Sequence, residues 1–259
     1  MNDIQIIDLT PENIASYGVC GYKDVKKHKE LRNKIDWFNK YYPKGLKIKV
    51  LFSEKGGYQG MLEYVPGEFA HRPVNAAGYL FIHCIFVGFK NEFKGKGHAS
   101  ALIDACINDA KKTKMLGVAV VTRKGSFMAD NPIFLKKNFE IVDKTKPDFN
   151  LLALKFDANS KNPSFKSDVL NDLDQYQNGL TIMRSAQCPY TEKNVNAILE
   201  SAKTKFNLKV NLIDLNDSTT AQKTPCPFGT FCMIYNGNII SHHPISNTRF
   251  ENIMTKLSR

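Results

Sequence analysis

Apolar residues recur along the first part of the chain with the two periods that distinguish strands from helices. Short alternating or fully apolar runs predict strands, and these runs are residues 4–9, 46–53, 60–65, 80–87, 118–122, 139–142 and 149–156. Helical spacing predicts two amphipathic helices, one with apolar positions at Leu31, Ile35, Phe38 and Tyr42 and one over residues 99–110. A shorter helix is predicted at residues 131–137. This order predicts an α/β (α+β) domain with a mixed sheet over residues 1–157.

A polar stretch, residues 158–175, follows this pattern and is rich in Ser, Asn, Asp and Lys. Such a composition between two patterned regions is typical of a linker. A second, smaller domain is therefore predicted at residues 176–259, with the order strand, helix, strand and then strand, strand, helix. Its predicted strands are residues 180–184, 210–215, 230–235 and 238–241, and the Asn-Gly turn between the last two favours a hairpin.

The chain is basic, but its positive charge is spread out. Lys and Arg number 36 against 25 Asp and Glu, a formal net charge of +11, of which +4 lies in residues 176–259 and +7 in the remainder. Nucleic-acid sites concentrate basic residues with interleaved aromatics, so RNA or DNA is not the expected partner. The densest basic run ends at Lys34 and includes Asp24 and Glu30. It is predicted to be a solvated helix face, and the overall charge suits a small anionic ligand.

Neither a membrane protein nor a secreted disulfide framework is expected. No apolar run approaches the roughly 18 residues of a membrane span, and the first residues lack the basic and apolar regions of a secretory signal. A cytoplasmic protein is therefore expected. Six cysteines in 259 residues do not indicate a disulfide scaffold. Cys84 and Cys106 lie in apolar runs and are expected to be buried thiols.

The segment with the most specific chemistry is the glycine-rich turn Phe93-Lys94-Gly95-Lys96-Gly97-His98-Ala99, between a predicted strand and a predicted helix. Glycines let backbone amides approach a ligand closely, and a helix N-terminus adds partial positive charge to that of the lysines. The combination suits a diphosphate. The turn is neither a Walker A motif, because no Gly-Lys-Ser/Thr follows, nor a dinucleotide fingerprint, because the third glycine is missing. A tight strand-to-helix turn without a ligand would by itself explain two glycines.

With its surroundings, this turn resembles motif A of the GCN5-related N-acetyltransferases (GNAT), Gln/Arg-x-x-Gly-x-Gly/Ala, with Lys94 at the first position. The element order of residues 1–157 is similar to that family, whose fold has a mixed, mostly antiparallel sheet. The resemblance implies acetyl-CoA as the cofactor, its diphosphate on the turn amides and its pantetheine along the preceding strand. The implied cofactor contacts are Ile85, Phe86, Val87, Lys94, Gly95, Lys96, Gly97, His98, Ala99, Asn131 and Phe134.

The resemblance further implies direct attack of a small-molecule or peptide amine on the thioester. The family's last helix often supplies a tyrosine that protonates the leaving thiolate, and Phe134 stands at that position here. Water or another donor, such as Cys84 or Tyr64, must then protonate the thiolate. A general base works near the attacking amine, and the candidates are His83, Glu63 and Glu68. A hydrogen-bonded core histidine would explain His83 equally well.

The second domain carries Cys188-Pro189-Tyr190-Thr191 at a predicted helix start. This is similar to the glutaredoxin motif, with Thr191 in place of the second cysteine, and the element order resembles the thioredoxin fold. An acetyltransferase domain followed by such a domain is similar to the YoaP-type acetyltransferases. A thiol at a helix N-terminus is a better nucleophile, so Cys188 is a candidate catalytic residue, alone or as a redox pair with Cys226.

Two further interpretations stay open, one for the whole chain and one for the second domain. One is a CoA-binding or thiol/redox module in which Cys188 acts and no acetyl group is transferred. The other is a degenerate domain that serves as a lid or docking module. A metal is not expected, because the spacing of Cys226, Cys232, His242 and His243 matches no standard zinc site.

Overall fold

A computed structural model of the chain describes residues 4–88, 91–167, 169 and 173–258. The chain forms two compact units, the first made of residues up to 70 and residues 74–165, the second of residues 71–73 and those from 166 onward. The division after residue 165 falls inside the predicted linker, of which residues 168 and 170–172 lie outside the described part. Within the described ranges, no helix is both long and apolar enough to cross a bilayer.

The first unit alternates strands with helices, and each strand predicted between residues 4 and 156 is observed with slightly different ends. The strands are β1 (Ile4–Asp8), β2 (Lys47–Ser53), β3 (Gly57–Pro66), β4 (Val74–Asn75), β5 (Tyr79–Val87), β6 (Gly117–Thr122), β7 (Glu140–Thr145), β8 (Phe149–Lys155) and β9 (Ser164–Phe165). The helices are α1 (Ile14–Tyr17), α2 (Lys29–Tyr41), α3 (His98–Lys112) and α4 (Pro132–Leu135), with single 3-10 turns at Tyr42–Lys44, Gly67–Phe69 and Asn91–Phe93.

Seven strands of this unit form one sheet in the order β1-β2-β3-β5-β6-β8-β7, and β4 pairs separately with β9. Within the seven-stranded sheet, β5 and β6 are parallel and the other neighbouring pairs are antiparallel. The prediction of an α/β fold with a mixed, mostly antiparallel sheet is therefore confirmed.

Helices cover both faces of this sheet. Successive residues of a strand point to opposite faces, and neighbours on β3 show this directly: Glu63 contacts Lys34 of α2, whereas Tyr64 contacts Asp109 of α3. The α3 side holds the main apolar core, which includes Leu51, Leu62, Tyr64, Leu80, Ile82, Leu102, Ile103, Cys106, Ala110, Val118, Val120, Phe134, Phe139 and Leu152. The prediction of a buried thiol is confirmed for Cys106 and wrong for Cys84, which is partly exposed.

The buried side of α2 differs from the predicted stripe. The buried positions are Leu31, Lys34, Trp37, Phe38 and Tyr41, so the stripe is rotated by about one residue at its C-terminal end, where Tyr42 is exposed. The predicted solvated face is wrong at Lys34, whose side chain has no exposed surface. The physical reason is an anionic partner on β3, Glu63, which is remote in sequence and satisfies the buried ammonium.

The second unit has the predicted order of elements. Its strands are β10 (Leu180–Arg184), β11 (Val210–Asp214), β12 (Phe231–Tyr235) and β13 (Asn238–Ser241), and its helices are α5 (Tyr190–Lys193), α6 (Val195–Thr204), α7 (Ser218–Ala221) and α8 (Asn247–Leu257). The sheet order is β11-β10-β12-β13. Strands β10 and β11 are parallel, whereas β12 is antiparallel to both β10 and β13.

Candidate functional site

The sheet of the first unit opens where its two parallel strands part. Pairing of β5 with β6 runs from Tyr79–Gly117 to Ile82–Val120, yet β5 continues to Val87 and β6 to Thr122. Over the same stretch β5 keeps its pairing with β3 as far as Val87. One edge of β5 is therefore held in the sheet while the other lies along an opening.

A small cleft occupies this opening. Its lining residues come from β5, β6 and the loop after β6, and they are Ile82, His83, Cys84, Ile85, Val120, Val121, Phe127, Met128 and Ala129. Three of the sequence candidates, His83, Cys84 and Ile85, thus line one cavity. The three loop residues were missed by the sequence analysis, since nothing in their pattern marks a loop that returns to the sheet.

The glycine turn lies between β5 and α3. Gly95 and Gly97 have φ angles of 70° and 78°, a conformation that favours glycine. A Cβ atom added at either position would meet no atom within 4 Å, so open space lies beside the backbone. His98 begins α3 and is 8% exposed. Its Nε2 atom has no hydrogen-bond partner among the described residues.

A β-bulge sets the position of His83. The register of β3 and β5 shifts so that Glu63 pairs with Cys84 while Tyr64 pairs with Ile82. His83 is therefore the extra residue on β5, at the point where β6 departs. Bulges redirect side chains next to functional sites, and this one turns the imidazole toward Glu63, with His83 Nδ1 3.1 Å from Glu63 Oε1.

Three ionisable side chains meet behind the bulge. The other carboxylate oxygen, Glu63 Oε2, accepts a hydrogen bond from Lys34 Nζ, and none of the three side chains has exposed surface. Aromatic rings complete the surroundings. Trp37 lies with its centroid 4.2 Å from Lys34 Nζ and 6.0 Å from the His83 ring, and the Phe81 ring is 5.8 Å from the His83 ring.

The charge of Glu63 decides the tautomer of His83. Burial by itself raises the pKa of Glu63, but the Lys34 ammonium and the hydrogen bond from His83 outweigh it and lower the pKa to about 2. The carboxylate is then ionised and can only accept hydrogen bonds. His83 Nδ1 must therefore be the donor, and in the neutral ring Nε2 is the acceptor.

The candidate proton donor Tyr64 has another partner. Its hydroxyl donates a hydrogen bond to Asp109 Oδ2 at 2.5 Å, and Lys47 Nζ lies 2.9 Å from the same oxygen. Burial and the Asp109 carboxylate raise the pKa of Tyr64. On the same side, burial raises the pKa of Asp109, but the Tyr64 hydroxyl and two lysines outweigh it and lower the pKa to about 2.

The residues predicted on the last helix have neighbours inside the unit. Phe134 has no exposed surface and packs its ring 5.4 Å from that of Phe139 in the apolar core. Asn131 precedes α4, and its Oδ1 accepts a hydrogen bond from Thr122 Oγ1 at the end of β6. Glu68 is exposed on a 3-10 turn. A cofactor contact at Asn131 or Phe134 stays a prediction.

Besides the three loop residues, sequence reasoning missed Lys34. Its only signal was its position three residues after Leu31 in an amphipathic helix, where an apolar residue is usual. The burial of a lysine at such a position requires a partner, and that partner could not be identified from the helix alone.

In the second unit, Cys188 lies in the turn before α5 and is partly exposed. The Thr191 hydroxyl, at the place of a second motif cysteine, donates to the carbonyl oxygens of Ser185 and Cys188, at 2.6 and 2.8 Å. Thr191 therefore stabilises the turn that carries Cys188.

A separate thiol cluster is formed by Cys226, Cys232 and His242. Both cysteines are buried, and Cys226 Sγ lies 3.3 Å from His242 Nδ1. Burial by itself raises the pKa of Cys226, but hydrogen bonds from Cys232 and His242 outweigh it and lower the pKa. Burial and the Cys226 neighbour raise the pKa of Cys232. The pairing of Cys188 with Cys226 stays a prediction.

Comparisons with known proteins cover both units. A family model described as YoaP-like matches residues 210–252. A protein of Bacillus subtilis (strain 168), described as an uncharacterized N-acetyltransferase YoaP, is 29% identical over 255 residues, which are 97% of this chain and 99% of that protein. Among the described residues, no group of three His, Cys, Asp or Glu side chains is placed to hold a metal ion.

Solved structures are similar at greater distance. The GNAT family N-acetyltransferase YhbS of Escherichia coli, in complex with CoA, is 13% identical over 62% of this chain and 88% of its own, with a TM-score of 0.39. The structure of YncA from Salmonella typhimurium with its cofactor acetyl-CoA is 14% identical over 62% of this chain and 98% of its own, with a TM-score of 0.43. The family resemblance predicted from the sequence is confirmed by the Bacillus subtilis relative and the family model. The thioredoxin-like description of the second unit stays a prediction.

Proposed function

We propose that this chain, a relative of the YoaP-type GCN5-related N-acetyltransferases, transfers an acetyl group from acetyl-CoA to an amine. The acceptor is a small molecule or a peptide. Acetyl-CoA supplies an activated thioester, and the chain's own residues bind it, orient the amine and accept its proton.

One observation carries this proposal: strand β5, which lines the cleft at His83, precedes the glycine turn Gly95–Ala99 in the sequence, with the 3-10 turn Asn91–Phe93 between them. Parallel pairing with β6 ends at Ile82, and residues 83–85 line the cleft. A strand edge binds extended ligands through its peptide groups. A molecule with an amide-containing arm and a diphosphate can therefore lie along Ile85, Phe86 and Val87 and end at the turn.

The glycine turn suits the diphosphate. Positive φ angles and the open space beside Gly95 and Gly97 let the backbone approach phosphate oxygens, where side chains would obstruct them. The N–H groups of the first turn of α3 have no acceptor further back in the helix and favour an anion. Exposed Lys94 and Lys96 add positive charge. The unpartnered His98 Nε2 atom is a further polar group at this helix start.

His83 is the general base of the proposed reaction, and Glu63 holds it. The ring donates through Nδ1 to the carboxylate, so Nε2 takes the proton as the amine attacks. In this proposal, backbone amides at the β-bulge at His83 stabilise the negative charge that develops on the acetyl oxygen. Cys84, which also lines the cleft, is the candidate donor of a proton to the departing thiolate.

The test is thiol release from acetyl-CoA by the purified full-length protein against a panel of polyamines, amino acids and lysine-containing peptides, with mass spectrometry of the products. The expected result is thiol release with at least one amine, together with a product heavier by one acetyl group. Retention of CoA without thiol release for any amine would overturn the proposal in favour of the CoA-binding or thiol module with Cys188. The His83→Gln variant should bind acetyl-CoA and release little thiol.

A further inference from the structure

A row of three fully buried ionisable groups, Lys34, Glu63 and His83, lies beside the cleft. Removing charges from water is costly, and a buried ion pair is often no more stable than well-packed apolar residues of similar size. An ion pair in that position therefore suggests a purpose other than stability. Among these three residues, Lys34 has no part in the proposed mechanism as it stands.

The two oxygens of Glu63 have different partners. Oε2 accepts from Lys34 Nζ and Oε1 faces His83 Nδ1 at 3.1 Å. The ammonium is thus a charged partner of the carboxylate besides the imidazole, and the rings of Trp37 and Phe81 lie beside the imidazole. Lys34 itself is held over the Trp37 ring.

The consequence of removing Lys34 can be worked out from donors and acceptors. A buried carboxylate without a cation favours its neutral form. A protonated Glu63 carries an O–H group that can donate to His83 Nδ1. The ring would then hold its proton on Nε2, the atom that has to accept a proton from the amine.

We propose that Lys34 is a positioning residue for acetyl transfer: its ammonium keeps Glu63 ionised, which keeps the His83 proton on Nδ1 and the lone pair on Nε2. The inference rests on the proposed function, in which His83 is the base. It makes α2 a support of the site, since the ammonium acts on the base through the Glu63 carboxylate.

The first test reads the tautomer without any reaction. Ring nitrogen shifts of ¹⁵N-histidine-labelled full-length protein distinguish Nδ1–H from Nε2–H, and His83→Gln identifies the His83 signals among those of the 6 histidines. We expect Nδ1–H in the wild type, Nε2–H in Lys34→Met and a return to Nδ1–H in Lys34→Arg. An unchanged tautomer in Lys34→Met would overturn the inference. Lys47→Met, which removes another ion-paired lysine of the same unit, is the matched control and should leave the His83 signals in place.

The second test uses the amine selected by the thiol-release panel. Lys34→Met should lower kcat by about a hundredfold or more, within the range of general-base catalysis, and leave the KM for acetyl-CoA within about twofold. Lys34→Arg should restore kcat. If Lys34→Met does not fold, the double variant Lys34→Met/Glu63→Gln removes both charges and leaves none uncompensated. Wild-type kcat in that double variant would overturn the inference, whereas a wild-type protein that acetylates no amine would overturn the proposed function.

Discussion

The hydroxyl of Tyr64 donates a hydrogen bond of 2.5 Å to Asp109 Oδ2, although Tyr64 follows Glu63 directly in β3. The two neighbours belong to separate polar clusters on opposite faces of one sheet. The Glu63 cluster adjoins the cleft through His83, whereas the Tyr64 cluster connects β3 to α3.

Tyr64→Phe should therefore affect stability and leave catalysis nearly unchanged. Loss of a hydrogen bond to a charged group costs about 1.5–3 kcal/mol, measurable as the free energy of unfolding in urea. Thiol release should stay within about twofold of the wild type, because the hydroxyl is already bound to Asp109 and its pKa is raised. Tyr42→Phe, at an exposed position, should change neither quantity. Loss of thiol release in a fully stable Tyr64→Phe variant would restore the tyrosine to the role of proton donor.

Acid should weaken the first unit through Glu63. The folded pKa of about 2 lies below the ordinary 4.5, so the unfolded chain takes up the proton first as the pH falls. The stabilisation is fully present above about pH 4.5 and is lost progressively toward pH 2. Between pH 6 and pH 3 this carboxyl should account for a loss on the order of 2 kcal/mol. Urea denaturation at the two pH values should show a smaller acid loss in Lys34→Met/Glu63→Gln, and an equal loss in both proteins would contradict the assignment.

Gly97→Ala should separate cofactor binding from chemistry. Its φ of 78° costs a residue with a side chain about 1 kcal/mol, and the new methyl group would occupy the open space beside the turn. The KM for acetyl-CoA should rise about tenfold, or about 1.4 kcal/mol, with kcat little changed. Gly179→Ala, at a φ of 75° in the second unit, carries a similar backbone cost and should leave the KM unaltered. A rise in KM for both variants would indicate a general effect of strain.

Two thiols with equal burial should differ in reactivity. Cys106 and Cys226 are both fully buried, but burial and Asp109 raise the pKa of Cys106, while Cys232 and His242 lower that of Cys226. At neutral pH, iodoacetamide should label Cys226 faster than Cys106, because the thiolate is the nucleophile. The partly exposed Cys188 should also be labelled before Cys106. Peptide mass spectrometry gives the rates, and His242→Ala should slow the labelling of Cys226. Identical slow labelling of all three would exclude an activated thiol.

Local pattern was enough to locate most elements, because the strands carry short apolar runs and the long helices carry apolar stripes. The hairpin of β12 and β13 follows from its Asn-Gly turn, and the order of the second unit from apolar runs alone. Pattern could not reveal the rotation of the α2 stripe. The burial of Lys34 depends on Glu63, which is 29 positions away in the sequence and lies on a strand rather than on the helix.

The site was predicted in part for the same reason. The glycine turn and the strand before it have local signatures, so the sequence alone singles out Gly95–Ala99 and residues 83–85 as candidates. The bulge at His83 depends on the register between β3 and β5, and register is a property of two strands. The lining contributed by Phe127, Met128 and Ala129 depends on how a loop returns to the sheet.

The parting of β5 and β6 has a mechanical consequence. Among the strand pairings of the described residues, the four pairs from Tyr79–Gly117 to Ile82–Val120 join the half-sheet of β1, β2, β3 and β5 to the half-sheet of β6, β8 and β7. An extended molecule that lies in this opening takes the place of a strand and links the two half-sheets. Binding of a molecule in the cleft should accordingly reduce the mobility of β7 and β8, which lie far from the bound molecule itself.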